Sequence, residues 1–227
     1  MRWVSASLLL SAWLLVSWCG MAAEPAREPG SALPFAPAAP TAEAKVEGFR
    51  SAVFGMTEAQ VRQAIHKDFP AAAEKVASEP NAAEKTTVLT TYVPDLIPGT
   101  GRARISYILG YNTKKLIQVN VNWTAEAKSP SSADSVVGAA NLLRNYFLAG
   151  GYVPQSIVAN QQLPNGYVVF RGLDARSRMV VVVLSGATGA AAAAPHDAEK
   201  APPIGLQLSY ILDPEHPDIY QVPKGQF

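Results

Sequence analysis

The chain has 227 residues, 48% hydrophobic and 16% charged, with 19 Lys and Arg against 18 Asp and Glu. That length suffices for one sizeable core or two small ones, and the near-zero charge gives no electrostatic case for nucleic acid or an anionic membrane. A single cysteine, Cys19, argues against a small disulfide-stapled scaffold, and the charged fraction is well below the roughly 25% of an average soluble domain.

Residues 1–23 carry Arg2, an apolar run over 8–18 and small residues at Gly20, Ala22 and Ala23, the layout of a secretory signal peptide cut after Ala22 or Ala23. The apolar run is shorter than the roughly 20 residues of a membrane span. A lipoprotein leader acylated at Cys19 is the alternative, but Trp18 before it is far larger than a lipobox residue. Losing Arg2 with the leader brings Lys plus Arg from 19 to 18, equal to the acids, and removes Cys19. Residues 24–47, punctuated by Pro25, Pro29, Pro34, Pro37 and Pro40, read as an extended linker, a spacer or a tether.

The strongest local signal lies at 48–65, where a strand, a stop and a capped helix follow one another. Thr57 and Gln60 have the spacing of a capping box, and Met56 and Val61 that of a hydrophobic staple. Gly55 supplies freedom for the turn, and Pro70 stops the helix near Phe69. Residues 71–85, broken by Pro80, read as an irregular crossing. Strands are expected over 86–93, 103–111 and 116–123, the last alternating Leu116, Gln118, Asn120 and Asn122 with Ile117, Val119, Val121 and Trp123.

The order then repeats. Ser132 or Asp134 can cap a helix whose Val136, Ala140, Leu143 and Phe147 form one apolar stripe, to which Tyr146 is also assigned, ending at Gly150-Gly151. A short strand near 156–159, a strand over 167–171 and a continuously apolar strand over 179–185, read as buried on both faces, follow. Residues 186–203 form an Ala/Gly/Pro insertion before a last strand over 206–212. The expected fold is α+β: two helix-plus-antiparallel-strand units, αβββ over 48–128 and αβββ over 129–212, forming a layered sheet with helices on one side, and an extended tail over 213–227. One continuous sheet and two sheets back to back both fit the pattern.

No catalytic set emerges. His66, His196 and His216 are scattered without metal-ligand spacing, there is no Gly-x-Ser-x-Gly elbow, and Gly99-x-Gly101 and Gly186-x-x-Gly189 lack the context of a phosphate loop. Asp95 and Asp174 read as turn residues. The tail is different: Pro217, Ile219, Tyr220, Val222 and Phe227 supply apolar anchors on a proline-stiffened arm, suited to docking a partner or to folding back on the chain's own domain.

At 48–65, in Tyr107-Ile108-Leu109-Gly110-Tyr111 with Lys115-Leu116-Ile117-Gln118-Val119, in Phe170-Arg171-Gly172-x-Asp174 and in His216-Pro217-Asp218-Ile219-Tyr220 running on to Phe227, the chain resembles the small third subunit of membrane-bound, PQQ-dependent quinohaemoprotein alcohol dehydrogenases. The resemblance implies a non-catalytic periplasmic accessory subunit, held at the outer face of the inner membrane through its partners. Those partners would be a large PQQ/haem c dehydrogenase subunit and, through it, a cytochrome c subunit. PQQ, calcium and haem c would belong to them, with no cofactor in this chain. A more distant similarity, through Gly55-Met56-Thr57, is to outer-membrane assembly lipoproteins and β-lactamase inhibitor proteins, implying an envelope scaffold or inhibitor-like interaction protein.

Overall fold

The computed structural model describes residues 43–125, 130–186, 203–223 and 225. The expected leader, nearly all of the linker, most of the insertion and Phe227 lie outside them.

The described chain opens on a hairpin of Gly48–Phe49 (β1) and Ala52–Val53 (β2). Gly48 sits at φ 139°, where a Cβ would overlap the Ala52 carbonyl. Helix α1, Glu58–Asp68, begins as its sequence prescribes: Gln60 N–H donates to Thr57 Oγ1 at 3.5 Å, and Thr57 N–H donates back to Gln60 Oε1 at 2.9 Å. Val61, Ala64 and Ile65 form its buried face. It stops at Phe69, and Pro70 starts a single further turn, Pro70–Ala73 (α2). Asp68 Oδ2 accepts the Ser51 N–H at 2.9 Å, and the Arg50 guanidinium lies 4.7 Å from the Phe69 ring centre, so the end of α1 holds the tip of the hairpin.

Eight strands make one antiparallel sheet. Ala77–Asn81 (β3), Thr86–Val93 (β4), Ala103–Leu109 (β5) and Leu116–Thr124 (β6) precede helix α3, Pro130–Leu148; Val158–Leu163 (β7), Gly166–Leu173 (β8), Met179–Ser185 (β9) and Gly205–Ile211 (β10) follow it. The order is β3-β4-β5-β6-β10-β9-β8-β7. Four strands therefore follow each helix, where three were expected. The additional strand of the first half, β3, and most of β7 escape the pattern because both lie at sheet edges, where polar residues and Pro80 are tolerated and no buried face imposes alternation. Helix α3 starts at Pro130, ahead of the Ser132 or Asp134 expected to cap it.

Residues paired across neighbouring strands share a face. One such row, Thr91, Ile105, Val121, Leu208, Val182 and Phe170, is buried throughout. The Thr91 hydroxyl donates to the Ala72 carbonyl of α2 at 3.1 Å, and Phe147 of α3 stacks on Phe170 with ring centres 5.4 Å apart. Val136, Ala140, Leu143 and Phe147 are all buried, as the stripe requires. The opposite, outer face carries Tyr92, Arg104, Asn122, Gln207, Val183 and Val168 in one row. This corrects the reading of β9: Val180, Val182 and Leu184 are buried, whereas Met179, Val181 and Val183 point to the outer face and are only half-buried. In β6 the alternation holds from Ile117 onward, but Leu116 is buried too, opposite Leu109 across a register shift.

Three buried polar atoms, Thr86 Oγ1, Tyr107 Oη and Trp123 Nε1, have no hydrogen-bond partner among the described residues. Burial pushes the Tyr107 hydroxyl well above its ordinary range, so it stays neutral. Leaving such a group unpaired costs about 1–3 kcal/mol; Tyr107→Phe is therefore expected to leave the melting temperature unchanged or raise it. Thr57→Ala, which removes the α1 cap, should lower stability in urea unfolding by about 1 kcal/mol.

Candidate functional site

Two of the sequence stretches singled out, 107–119 and the tail from His216, meet in space. After β10 the chain turns at Asp213, whose Oδ1 accepts the Glu215 and His216 N–H groups at 3.1 and 2.9 Å. Asp218 then reaches the turn between β5 and β6. Its Oδ1 accepts Asn112 N–H and Nδ2–H, both at 2.9 Å, and its Oδ2 accepts Thr113 N–H at 2.9 Å and Oγ1–H at 2.7 Å. The backbone adds Tyr111 N–H to Asp218 O at 2.8 Å. Gly110 is required beside this contact, because a Cβ there would overlap the Asp218 carboxylate. Partial burial acts to raise the Asp218 carboxyl pKa, but the donors from Thr113 and Asn112 outweigh it and hold the group at about 2.

Two residues further on, Tyr220 N–H donates to Glu84 O at 2.9 Å, between β3 and β4. Its ring meets Tyr111 edge to face at 5.7 Å, and Lys85 Nζ stands 3.4 Å from its centre. Of the docking residues expected in the tail, Pro217, Ile219 and Tyr220 are thus half-buried on the chain's own domain, Val222 is 51% exposed, and Phe227 lies outside the described residues.

The Phe170-Arg171-Gly172-x-Asp174 stretch also has a local account. Phe170 is core, and Gly172 leaves room for the Tyr152 ring, which packs on Phe170 at 5.2 Å. Asp174 is buried and accepts three backbone N–H groups, from Arg176 at 2.8 Å, Arg178 at 3.0 Å and Val46 at 2.9 Å. It is a turn residue, as read, and also fastens the segment leading into β1. A surface cavity of about 500 Å³ lies between this turn and the tail, with Arg176, Arg178, Asp213 and His216 in its wall.

Among the described residues, no group of three or more His, Cys, Asp or Glu is placed to hold a metal ion. His66 is exposed on α1, His216 lies in the tail, and His196 is outside the described residues. Asp95, at φ 45° in the turn after β4, does not converge with Asp174 in any described contact.

What the sequence reading missed is the outward side of α3. Tyr146, assigned to the core stripe, is 70% exposed, and Leu142 one turn before it is 57% exposed; Leu148, also exposed, lies on another side of the helix. The helix has 19 residues but only two charges, Asp134 and Arg144. A helix facing water usually carries a charged outer face. The available signal was the four-residue spacing of Leu142 and Tyr146, out of phase with Val136, Leu143 and Phe147.

Because the folded Asp218 carboxyl titrates below its ordinary value of 3.8, its contribution is complete above that value and is lost as the pH falls toward 2. Acid titration followed by the Asn112 and Thr113 amide resonances should show the turn loosening in this window, and Asp218→Asn should abolish the step. Deleting 213–227 should lower the melting temperature as well. Comparison of the chain with protein-family models, with curated protein sequences and with solved structures finds no match to any of them.

Proposed function

We propose that the protein is a non-catalytic accessory subunit of the periplasm that binds and stabilises the PQQ/haem c subunit of a membrane-bound alcohol dehydrogenase complex. The dehydrogenase assignment rests on the residue resemblance set out above. The interaction role rests chiefly on one observation: α3 presents Leu142 and, one turn on, Tyr146 to solvent as neighbours on a helix nearly devoid of charge. Contiguous exposed apolar side chains mark surfaces that another protein covers, and tyrosine and leucine in such a ridge suit the desolvated centre of an interface.

In this reading PQQ, calcium and haem c reside in the partners, and the chain contributes a surface. The fold is read as two repeated units whose helices share one side of the sheet. Among the described residues no helix is long and apolar enough to cross a membrane, so attachment at the inner membrane would run through the partners.

Purification from membranes of the native host tests the proposal. The chain should co-purify with a large PQQ-containing, haem-containing subunit, and the double variant Leu142→Asp, Tyr146→Asp should lose at least ten-fold of that subunit while keeping its own melting temperature. Recovery of the chain alone, or an undiminished complex with the double variant, would sink the corresponding part of the proposal.

A further inference from the structure

Two cavities share a wall at the end of β4 and the start of β5. One, of about 490 Å³, is lined mainly by Phe69, Pro70, Ala72, Val93 and Pro94 and is largely apolar. The other, of about 400 Å³, is lined by Arg104, Asn122 and Thr124 and is of mixed character, somewhat more polar than apolar. Tyr92 and Arg102 border both. Tyr92 is 45% exposed, and the Arg102 guanidinium stands 4.0 Å from its ring centre, so the pair forms a ridge between the hollows.

Register places Tyr92, Arg104 and Asn122 side by side on the outer face, in the row that continues into Gln207. Arg102, Arg104 and the nearby Lys75 are exposed, and no carboxylate reaches any of them within ion-pair distance among the described residues. Strands β4 to β10 contain no Asp or Glu at all. The corner therefore groups cations that have no ion-pair partner among the described residues beside an apolar hollow. A planar guanidinium is well matched to a carboxylate, which it can hold through two parallel hydrogen bonds.

We propose that the Tyr92, Arg102 and Arg104 corner binds a peptide segment of a partner protein in which an apolar side chain adjoins a carboxylate. The apolar group seats against Phe69, Pro70 and Val93, and the carboxylate meets Arg104 and Asn122. A peptide fits better than an alkyl carboxylate because the polar hollow is lined by Asn122 and Thr124, whose amide and hydroxyl groups match the backbone of an extended chain and find nothing on a hydrocarbon. This inference is independent of the dehydrogenase reading, since the chemistry holds whichever protein supplies the segment.

The test uses the full chain after leader removal, isotopically labelled, and a blocked peptide with one phenylalanine between two glutamates as probe. Saturable binding is expected, with resonance shifts confined to the residues lining the two hollows, Phe69, Tyr92, Val93, Arg104 and Asn122 among them. Affinity should fall at least ten-fold with Arg104→Glu, with Tyr92→Ala, and with a peptide carrying glutamines instead of glutamates, and should decline with salt. Arg104→Gln should lie in between, and Arg171→Glu, on the far side of the outer face, should change nothing. Absent or unsaturable binding, shifts elsewhere, equal affinity in Arg104→Glu of unchanged melting temperature, or binding of lauric acid or anionic vesicles in place of the peptide would each overturn it.

Discussion

The pairing of β6 with β10 is the contact on which the rest of the molecule depends. Seven pairs, from Gly205 with Thr124 to Ile211 with Gln118, join strands that end two separate runs of the chain. Across this seam Val121 and Trp123 on the helix side meet Leu208 and Leu206, while Asn120 and Asn122 on the other side meet Ser209 and Gln207. The side-chain period of two makes the register strict: a slip by one residue would carry Trp123 to the outer face and bring amides into the core. Every other strand is added outward from this pair, and the buried row it carries runs from Thr91, bonded to the Ala72 carbonyl, to Phe170, stacked on Phe147.

Two carboxylates then secure what the sheet leaves loose. Asp174 draws the segment before β1 onto the turn between β8 and β9, and Asp218 draws the tail onto the turn between β5 and β6. Each works by collecting N–H and O–H donors from a turn that would otherwise be left to water, and such charge-assisted bonds are stronger than neutral ones. The glycines beside them are explained by the same contacts: Gly110 by the approach of Asp218, Gly172 by that of the Tyr152 ring. Much of what makes these stretches distinctive is therefore architectural.

How far the sequence could be read follows the range of the forces involved. The α1 cap is set by residues three apart, and the stripe of α3 and the alternation of β6 by one buried face, so all three were legible. The strand β3 and the full extent of β7 were not, because edges obey no apolar period. Continuous valines made β9 look doubly buried, since a run of apolar residues shows that both sides are apolar and not that both are covered. The Asp218 contacts join residues about a hundred positions apart, and the Tyr92 and Arg102 ridge arises from the meeting of two strands with the end of α1. Neither leaves a local trace.

The two outer edges of the sheet limit how another protein can approach. Pro80 deprives β3 of one N–H, and Asn160 in β7, at φ 54°, sits where the ladder skips a pair opposite the β8 bulge. Neither edge is a straight template on which a foreign strand could continue the sheet. A companion molecule would thus be steered away from generic main-chain zippering and toward side-chain recognition on a face, which depends on sequence and so would make the choice of companion selective.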